Sequence, residues 1–459
     1  MATAVLLASI SFFSGFFIER KWRLFLAIPV SVFQVYIPGL GEGGYMPPLA
    51  LLGGLSLWPE FLKGMRLLYR WPPILMLLGV LTAYGISLFF SSDLRLGLRA
   101  IVYLWVFLAI FSAVVLQMKE DDRVAWQLLS LTVLFAVVEA GVTIAFRVSP
   151  ELEAIFLDSS LAQLFVNPNI LEVLYTTERN NVLDPVKSGG FFTNGNVAGA
   201  YLWIMTMASL MLAVCKRKGS MYILPVFFIV AAYFTGSKAV LLLFPALATA
   251  VLIAVSWHFS SRAIFLMKGF MMIGIVMSLG LIGPQLVTNN IIGQTEQTEQ
   301  TEQTEQDDFL QQSESTLGIR LMIWRYSSEA FLENPIIGQG FGGWQQGYSG
   351  YAESVGLKEG FPPHNTLIYL WSQGGILALI FGIAFMLFIT ISGLQQVIKD
   401  QGQSSGIAAI MLGAFSWTFI HGMGENFGLV GELHMAPILA TLLAFAYSMS
   451  NKNLDRKIS

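Results

Sequence analysis

The sequence predicts an all-α fold: a polytopic integral membrane bundle of about 12–13 transmembrane helices, with a long external loop that contains short helices. Three observations carry this expectation. Hydrophobic residues make up 55% of the 459 positions and charged residues only 12%, with mean hydropathy +0.65, too apolar for a soluble core under a wettable surface. Apolar stretches of about 17 to 25 residues, the length that crosses a hydrocarbon layer of roughly 30 Å, recur along nearly the whole chain. The polar breaks between them are short and hold most of the cations, so the backbone within each stretch must be satisfied by helix.

In order, the expected spans lie near 2–18, 24–40, 45–62, 72–91, 96–117, 124–146, 191–214, 219–235, 239–257, 263–284, 365–396, 404–422 and 427–449. Pro29, Pro59, Pro225 and Pro245 shorten or break several of them. The first pair also fits a single re-entrant element. Three regions follow: N-terminal transmembrane helices over 1–284, a long loop over 285–363, and C-terminal helices with a tail over 364–459.

Orientation follows from the placing of Lys and Arg. Seventeen of the 26 cations fall in one alternate set of connections: Arg20, Lys21 and Arg23; Lys63, Arg66 and Arg70; Lys119 and Arg123; Lys216, Arg217 and Lys218; Arg262 and Lys268; Lys399; and Lys452, Arg456 and Lys457. That set is expected to be cytoplasmic, which puts the loops at 147–190 and 285–363 outside. The first apolar segment lacks a basic n-region and a small-residue cleavage site, and reads as a retained helix rather than a signal peptide. With Cys215 as the one cysteine, no intrachain disulfide orders the loops. A net charge of −3 gives no reason to expect a nucleic acid partner.

Of the two long external loops, the first carries Leu152, Ile155, Phe156, Leu161, Leu164 and Phe165 at spacings that suit either a helix lying on the membrane or packing against the bundle. The second opens with a Thr-Glu-Gln repeat over 295–306, followed by Asp307 and Asp308. A tract this polar cannot bury enough apolar area to offset its ordering entropy, so it reads as a low-complexity insertion without a catalytic part. Its acidic spacing is not that of an EF-hand loop.

Beyond the repeat, residues 317–331 have helical periodicity, and Gly338-Gln-Gly-Phe-Gly-Gly343 formally matches G-x-G-x-x-G. No strand precedes it and no βαβ unit surrounds it, so a dinucleotide fingerprint is not expected. It reads either as a loop that packs closely or exposes backbone N–H groups to an anion, or as a turn needing positive φ. Phe361-Pro-Pro-His-Asn-Thr366 then places an imidazole at the mouth of the next apolar run.

The order Arg320-x-x-x-Trp324, Asn334-Pro-Ile-Ile-Gly-Gln-Gly340, then His364-Asn365 and a helix with Gly374-Gly375, resembles the signature of the O-antigen ligase and polymerase superfamily. Gly190-Phe-Phe-Thr-Asn-Gly-Asn196 and Thr235-Gly-Ser-Lys238 resemble two further blocks, so the similarity runs from about residue 190 to 380 in the family's order. The resemblance implies a metal-independent membrane glycosyltransferase of the bacterial inner membrane, without cofactor. Its active site faces the periplasm, and its donor is an undecaprenyl-pyrophosphate-linked glycan. The acceptor is lipid A core, another glycan or a protein. It further implies that His364 activates or orients the acceptor hydroxyl and that Arg320 contacts the pyrophosphate. A second family cation, ordinarily Arg after Ser, is Lys238 here, which keeps the charge and loses bidentate geometry.

The residue types support the same chemistry independently. Glycan transfer from a lipid pyrophosphate needs a base near the attacking hydroxyl and cations near the departing diphosphate. Histidine titrates in the range that suits the base, and Lys238, Arg320 and Arg325 are expected at external helix ends. Asn365, Gly340, Asn194 and Asn196 complete the candidate substrate-binding set. Each has a plainer alternative: His364 caps the next helix, Arg320 and Arg325 anchor in headgroups, and Asn194 and Asn196 serve as turn residues. Lys238 stands at a helix start, where a cation is unfavourable unless an anion lies nearby. His421, Glu425, Glu432 and His434 surround the last external turn and read as a polar lining, as interhelical hydrogen bonding or as a metal site, and no metal is expected. Besides ligation, the competing functions are repeat-unit polymerisation by the same kind of enzyme, and transport of a small anion. The latter calls for internal repeats with broken helices at the midplane, and no convincing repeat is present.

Overall fold

A computed structural model describes residues 2–33, 35–36, 49–174, 186–216, 219–256, 316–357, 359–400, 402–425 and 427–458. The expected span at 263–284 and the repeat at 295–306 lie outside the described residues. Among those described there is helix and no strand. The helices are α1 (Ala2–Phe17), α2 (Arg20–Ala27), α3 (Leu49–Leu55), α4 (Trp58–Leu68), α5 (Pro72–Ser87), α6 (Leu94–Glu120), α7 (Asp122–Val148), α8 (Pro150–Leu157), α9 (Ala162–Phe165), α10 (Pro168–Val173), α11 (Gly195–Lys216), α12 (Ile223–Phe234), α13 (Lys238–Ser256), α14 (Thr316–Glu333), α15 (Gly343–Ser354), α16 (Thr366–Lys399), α17 (Gln403–Gly422) and α18 (Ala436–Ile458). Six described segments are long and apolar enough to cross a membrane: Pro72–Phe90, α6, α7, α11, α16 and α17, with Leu6–Phe17 and Gly219–Phe234 as shorter apolar helices. The chain is a multi-pass helical membrane protein.

α11 is the axis of the bundle, with 94% of its most apolar stretch buried. It packs on α7, α12 and α17, and small residues such as Ala198, Gly199 and Ala208 bring those backbones close. Trp203 fills the seam with α17 and donates its indole N–H to the Gly413 carbonyl at 3.0 Å. α5 pairs with α16 and α6 with α18, and both α5 and α16 turn a broad apolar face outward, as lipid-facing helices do.

Three expected spans differ. α2 stops at Ala27, because Pro29 offers no N–H to continue the ladder and opens a 3₁₀ turn over Pro29–Phe33. The stretch expected at 45–62 is two pieces, a seven-residue α3 and an α4 that restarts with Pro59 in its first turn. The last helix begins at Ala436 rather than near 427, after a turn in which Gly428 and Gly431 take positive φ.

Contacts sort the connections into two faces, as the cation pattern predicts. Arg20 reaches Glu120 at 2.9 Å, and Arg23 is buried in a bidentate pair with Glu60 at 2.6 and 2.8 Å, all within the cation-rich set. The Gln403 amide meets the Cys215 carbonyl on that face. At the opposite face the Tyr36 amide donates to Leu164 and the Asp93 amide to Phe341, each at 2.9 Å. Of the first long loop, Leu157, Ala162, Val166 and Leu174 form a small core of their own, and Phe165 stacks on Phe191. Leu152, Ile155 and Leu161 remain exposed, so packing and surface readings each hold for part of that loop.

The second loop is built onto α16. α14 and α15 share an aromatic core of Ile323, Tyr326, Trp344, Tyr348 and Trp371, and between them the Gly-rich segment runs into a break in α16. At Gly375 (φ 68°) the helix is interrupted, the Ile376 amide donates to Ile336, and the Gln339 amide donates to Ser372, both at 2.9 Å. The loop thus takes up backbone groups that the break releases from the helical ladder.

Candidate functional site

Above the outer ends of α11, α13, α16 and α17, polar residues from four distant stretches of chain gather around Glu425. Each is set by local backbone chemistry. Asn194 caps α11, its side-chain oxygen accepting from the amides of Asn196 (2.9 Å) and Val197 (3.3 Å). The turn before it is tied down by buried Glu139 of α7, which accepts from the Phe191 amide at 3.2 Å. Asn196, one position into the helix, is thereby aimed across the bundle. Its amide donates to Glu425 Oε1 at 2.9 Å and its carbonyl oxygen accepts from the Ser237 hydroxyl at 2.8 Å.

Ser237 leads directly into Lys238, the first and exposed residue of α13. Arg320, one turn into α14, donates from Nη2 to the same Glu425 oxygen at 2.7 Å. The other carboxylate oxygen, Oε2, lies 3.4 Å from Nδ1 of His364.

His364 owes its position to the loop before it. Trp344, buried in the α14–α15 core, donates to the Phe361 carbonyl at 3.0 Å, and the Phe361 ring lies 6.1 Å from the imidazole. His364 itself takes φ +48°, one of two described non-glycine residues with positive φ. Such a conformation costs free energy, and histidine tolerates it better than most. Asn365 follows as the cap of α16, accepting from the amides of Leu367 and Ile368 while donating to the Met423 carbonyl at 3.2 Å, which ties this loop to the turn that carries Glu425.

Burial pushes the Glu425 carboxyl up, but the facing His364 imidazole and Arg320 guanidinium outweigh it, so the group is held below its ordinary range. Glu425 is therefore held toward its carboxylate form where it faces His364 and Arg320. An imidazole with a carboxylate on Nδ1 is oriented, keeps Nε2 for a proton acceptor role, and is stabilised once charged.

Of the residues singled out from sequence, Arg320, His364 and Asn196 meet at Glu425, Asn365 and Asn194 cap the helices that hold them, and Lys238 adjoins through Ser237. Two go elsewhere. Arg325 is exposed and pairs with Glu329 at 3.3 Å, because five residues on a 3.6-residue helix turn it away from the face of Arg320. Gly340 (φ +71°) is buried against the turn before α6, where a Cβ would come within 2.8 Å of the Phe90 carbonyl oxygen. The amides of Gly338, Gln339, Phe341 and Gly343 all donate within the protein. Through these four amides the Gly-rich loop packs closely on its surroundings.

The acidic and histidine cluster of the last turn divides. Glu425 is the hub, while His421 packs on Trp417 and Phe427. His434 stacks on Phe192, with Nδ1 3.9 Å from Glu432. No group of three His, Cys, Asp or Glu among the described residues is placed to hold a metal ion. Sequence reasoning noted Glu425 without joining it to Arg320, 105 residues away; the signal was a lone carboxylate in a glycine-rich turn, Gly422-Met-Gly-Glu425, at a helix mouth.

A family model described as O-antigen ligase matches residues 223–383. The match contains Lys238, Arg320, the Gly-rich loop and His364-Asn365, and it leaves Asn196 and Glu425 outside. No curated protein matches the chain.

Proposed function

We propose that this chain, a member of the O-antigen ligase family through its domain at 223–383, transfers a glycan from an undecaprenyl-pyrophosphate carrier to an acceptor hydroxyl at the periplasmic side of the bacterial inner membrane. Family and architecture make it a membrane glycan enzyme of the ligase or polymerase type. Ligation, the carrier, the acceptors (lipid A core, another glycan or a protein) and the side are our reading.

The observation that carries it is Glu425 held between Arg320 (2.7 Å) and His364 (3.4 Å), with Lys238 next in sequence to the Ser237 that bonds Asn196. In the proposed step His364 Nε2 takes the proton of the acceptor hydroxyl as its oxygen attacks the anomeric carbon. The bond from that carbon to the pyrophosphate oxygen breaks, and its electron pair leaves with the diphosphate. Glu425 balances the new imidazolium. Arg320, which has donors beyond the one spent on Glu425, and Lys238 offset the charge of the leaving group.

The test is a gel profile of surface and carrier-linked glycans in a null strain complemented with wild type or His364→Ala. General-base loss costs about 10²- to 10⁴-fold in rate, so the variant should look like the null. Long chains stranded on the carrier support ligation, and single repeat units support polymerisation. A wild-type profile at equal membrane abundance would sink the catalytic role of His364.

A further inference from the structure

The cation-rich face carries a helix whose outer surface the transfer step does not use. At 11 residues α4 is too short to cross the hydrocarbon, and it packs on α6. Its buried side is spaced one turn apart at Glu60, Gly64 and Leu68. A Cβ on Gly64 would overlap Ser112 of α6, and Arg20 bridges Glu60 to Glu120 at the end of that helix. Just past α4, the Trp71 ring lies 5.6 Å from Phe111 and 4.8 Å from Tyr447, an aromatic group of the kind found where a bundle leaves the hydrocarbon.

The other side of α4 is divided in two. Lys63, Arg66 and Arg70 recur at intervals of three and four residues, the spacing of one helix face, and all three are exposed. Tyr69, the C-cap, keeps helical φ and ψ, which carries Arg70 round in register. Beside the cations Leu62 and Tyr69, seven residues apart, are 54% and 46% exposed. Among the described residues no carboxylate pairs with Lys63, Arg66 or Arg70, and the one acid of α4, Glu60, is spent on Arg23 and Arg20. Arg70 donates from Nε to the Tyr69 hydroxyl at 2.8 Å, which leaves its other donors. Three cations without a counter-charge, edged by an exposed leucine and tyrosine, call for a ligand that is anionic and apolar at once.

We infer that this face of α4 binds an anionic phospholipid of the adjoining leaflet, with the phosphate among Lys63, Arg66 and Arg70 and the acyl chains against Leu62 and Tyr69. Charge complementarity selects the headgroup, and the apolar edge selects a lipid over an acidic protein segment. The inference does not rest on the glycan-transfer reading.

The purified full chain in a zwitterionic detergent is titrated with phosphatidylglycerol or phosphatidylcholine, and bound lipid is counted by native mass spectrometry. Wild type is expected to hold phosphatidylglycerol at least about tenfold more tightly. A cation near the membrane surface is worth about fivefold in affinity, so Lys63→Gln combined with Arg66→Gln should bring the preference to within about twofold of none. Arg123→Gln removes an exposed cation of the same set outside α4 and should leave the preference within about twofold of wild type. A wild type without preference, a double variant that keeps it, or an equal loss in Arg123→Gln overturns the site. A second measurement leaves the cations in place. Photoreactive benzoylphenylalanine at position 62, in native membranes, should give phospholipid adducts. Protein adducts alone would mean that α4 docks a partner chain, and would overturn the lipid.

Discussion

His364 and Glu425 illustrate how much of the site depends on one carboxylate. Arg320, Asn196 and His364 each touch it, and only Glu425 touches all three. Glu425→Gln keeps the size and removes the charge, so Arg320 is left partly buried without its anion and His364 without its counter-charge. Transfer is expected to fall by about 10²-fold in an assay of carrier-linked glycan consumption, the scale of a weakened general base. Arg325→Ala, which breaks only an exposed pair with Glu329, should leave the rate unchanged. The pH dependence has a definite sign. Because the folded carboxyl lies below its ordinary value of 4.5, its contribution to stability is complete above that value. It is lost only as the pH falls through the lower folded value. The sequence pointed to Arg320, His364 and Asn196 because their types suit the chemistry. It did not point to their meeting place, since nothing in a lone Glu within a glycine-rich turn specifies a partner 105 residues upstream.

At the scale of elements, the break in α16 and the Gly-rich loop form one device. Gly375 has φ +68°, and a Cβ there would also drive into the Ile336 carbonyl. Gly375→Ala should therefore cost at least about 1–3 kcal/mol from the backbone conformation alone. It should lower the melting temperature of the purified protein and abolish transfer. Gly85→Ala in α5, where nothing lies near the added methyl, should be neutral or stabilising by about 0.5–1 kcal/mol. The pattern G-x-G-x-x-G was plain in the sequence, yet its meaning was not. The amides of Gly338, Gln339, Phe341 and Gly343, which look available in a string of glycines, are spent on α16, on Ser91 ahead of α6 and on the loop itself, and only the tertiary fold decides that. The three short helices α2, α3 and α4 in place of the expected second and third spans have a simpler origin. Pro29 and Pro59 were visible, but hydropathy windows average over them.

For the whole molecule, alternation of Lys and Arg was the most legible feature. The contacts of Arg20 with Glu120 and of Arg320 with Glu425 fall on separate faces as that alternation requires. In a Cys215→Ser background, a cysteine at Ser159 should react with a membrane-impermeant maleimide added to intact spheroplasts. One at Gly402 should react only after lysis. The reverse pattern would invert the assignment of sides. The hub's place along the chain carries a further consequence, one of timing. Asn196, Ser237, Arg320 and His364 leave the ribosome in that order, and Glu425, in the turn between α17 and α18, comes last of the five. A nascent chain therefore holds every other member of the constellation before it holds the group that gathers them. On the proposed mechanism the arrangement is complete only once the hairpin of α17 and α18 has inserted, so the bundle finishes packing before transfer can begin.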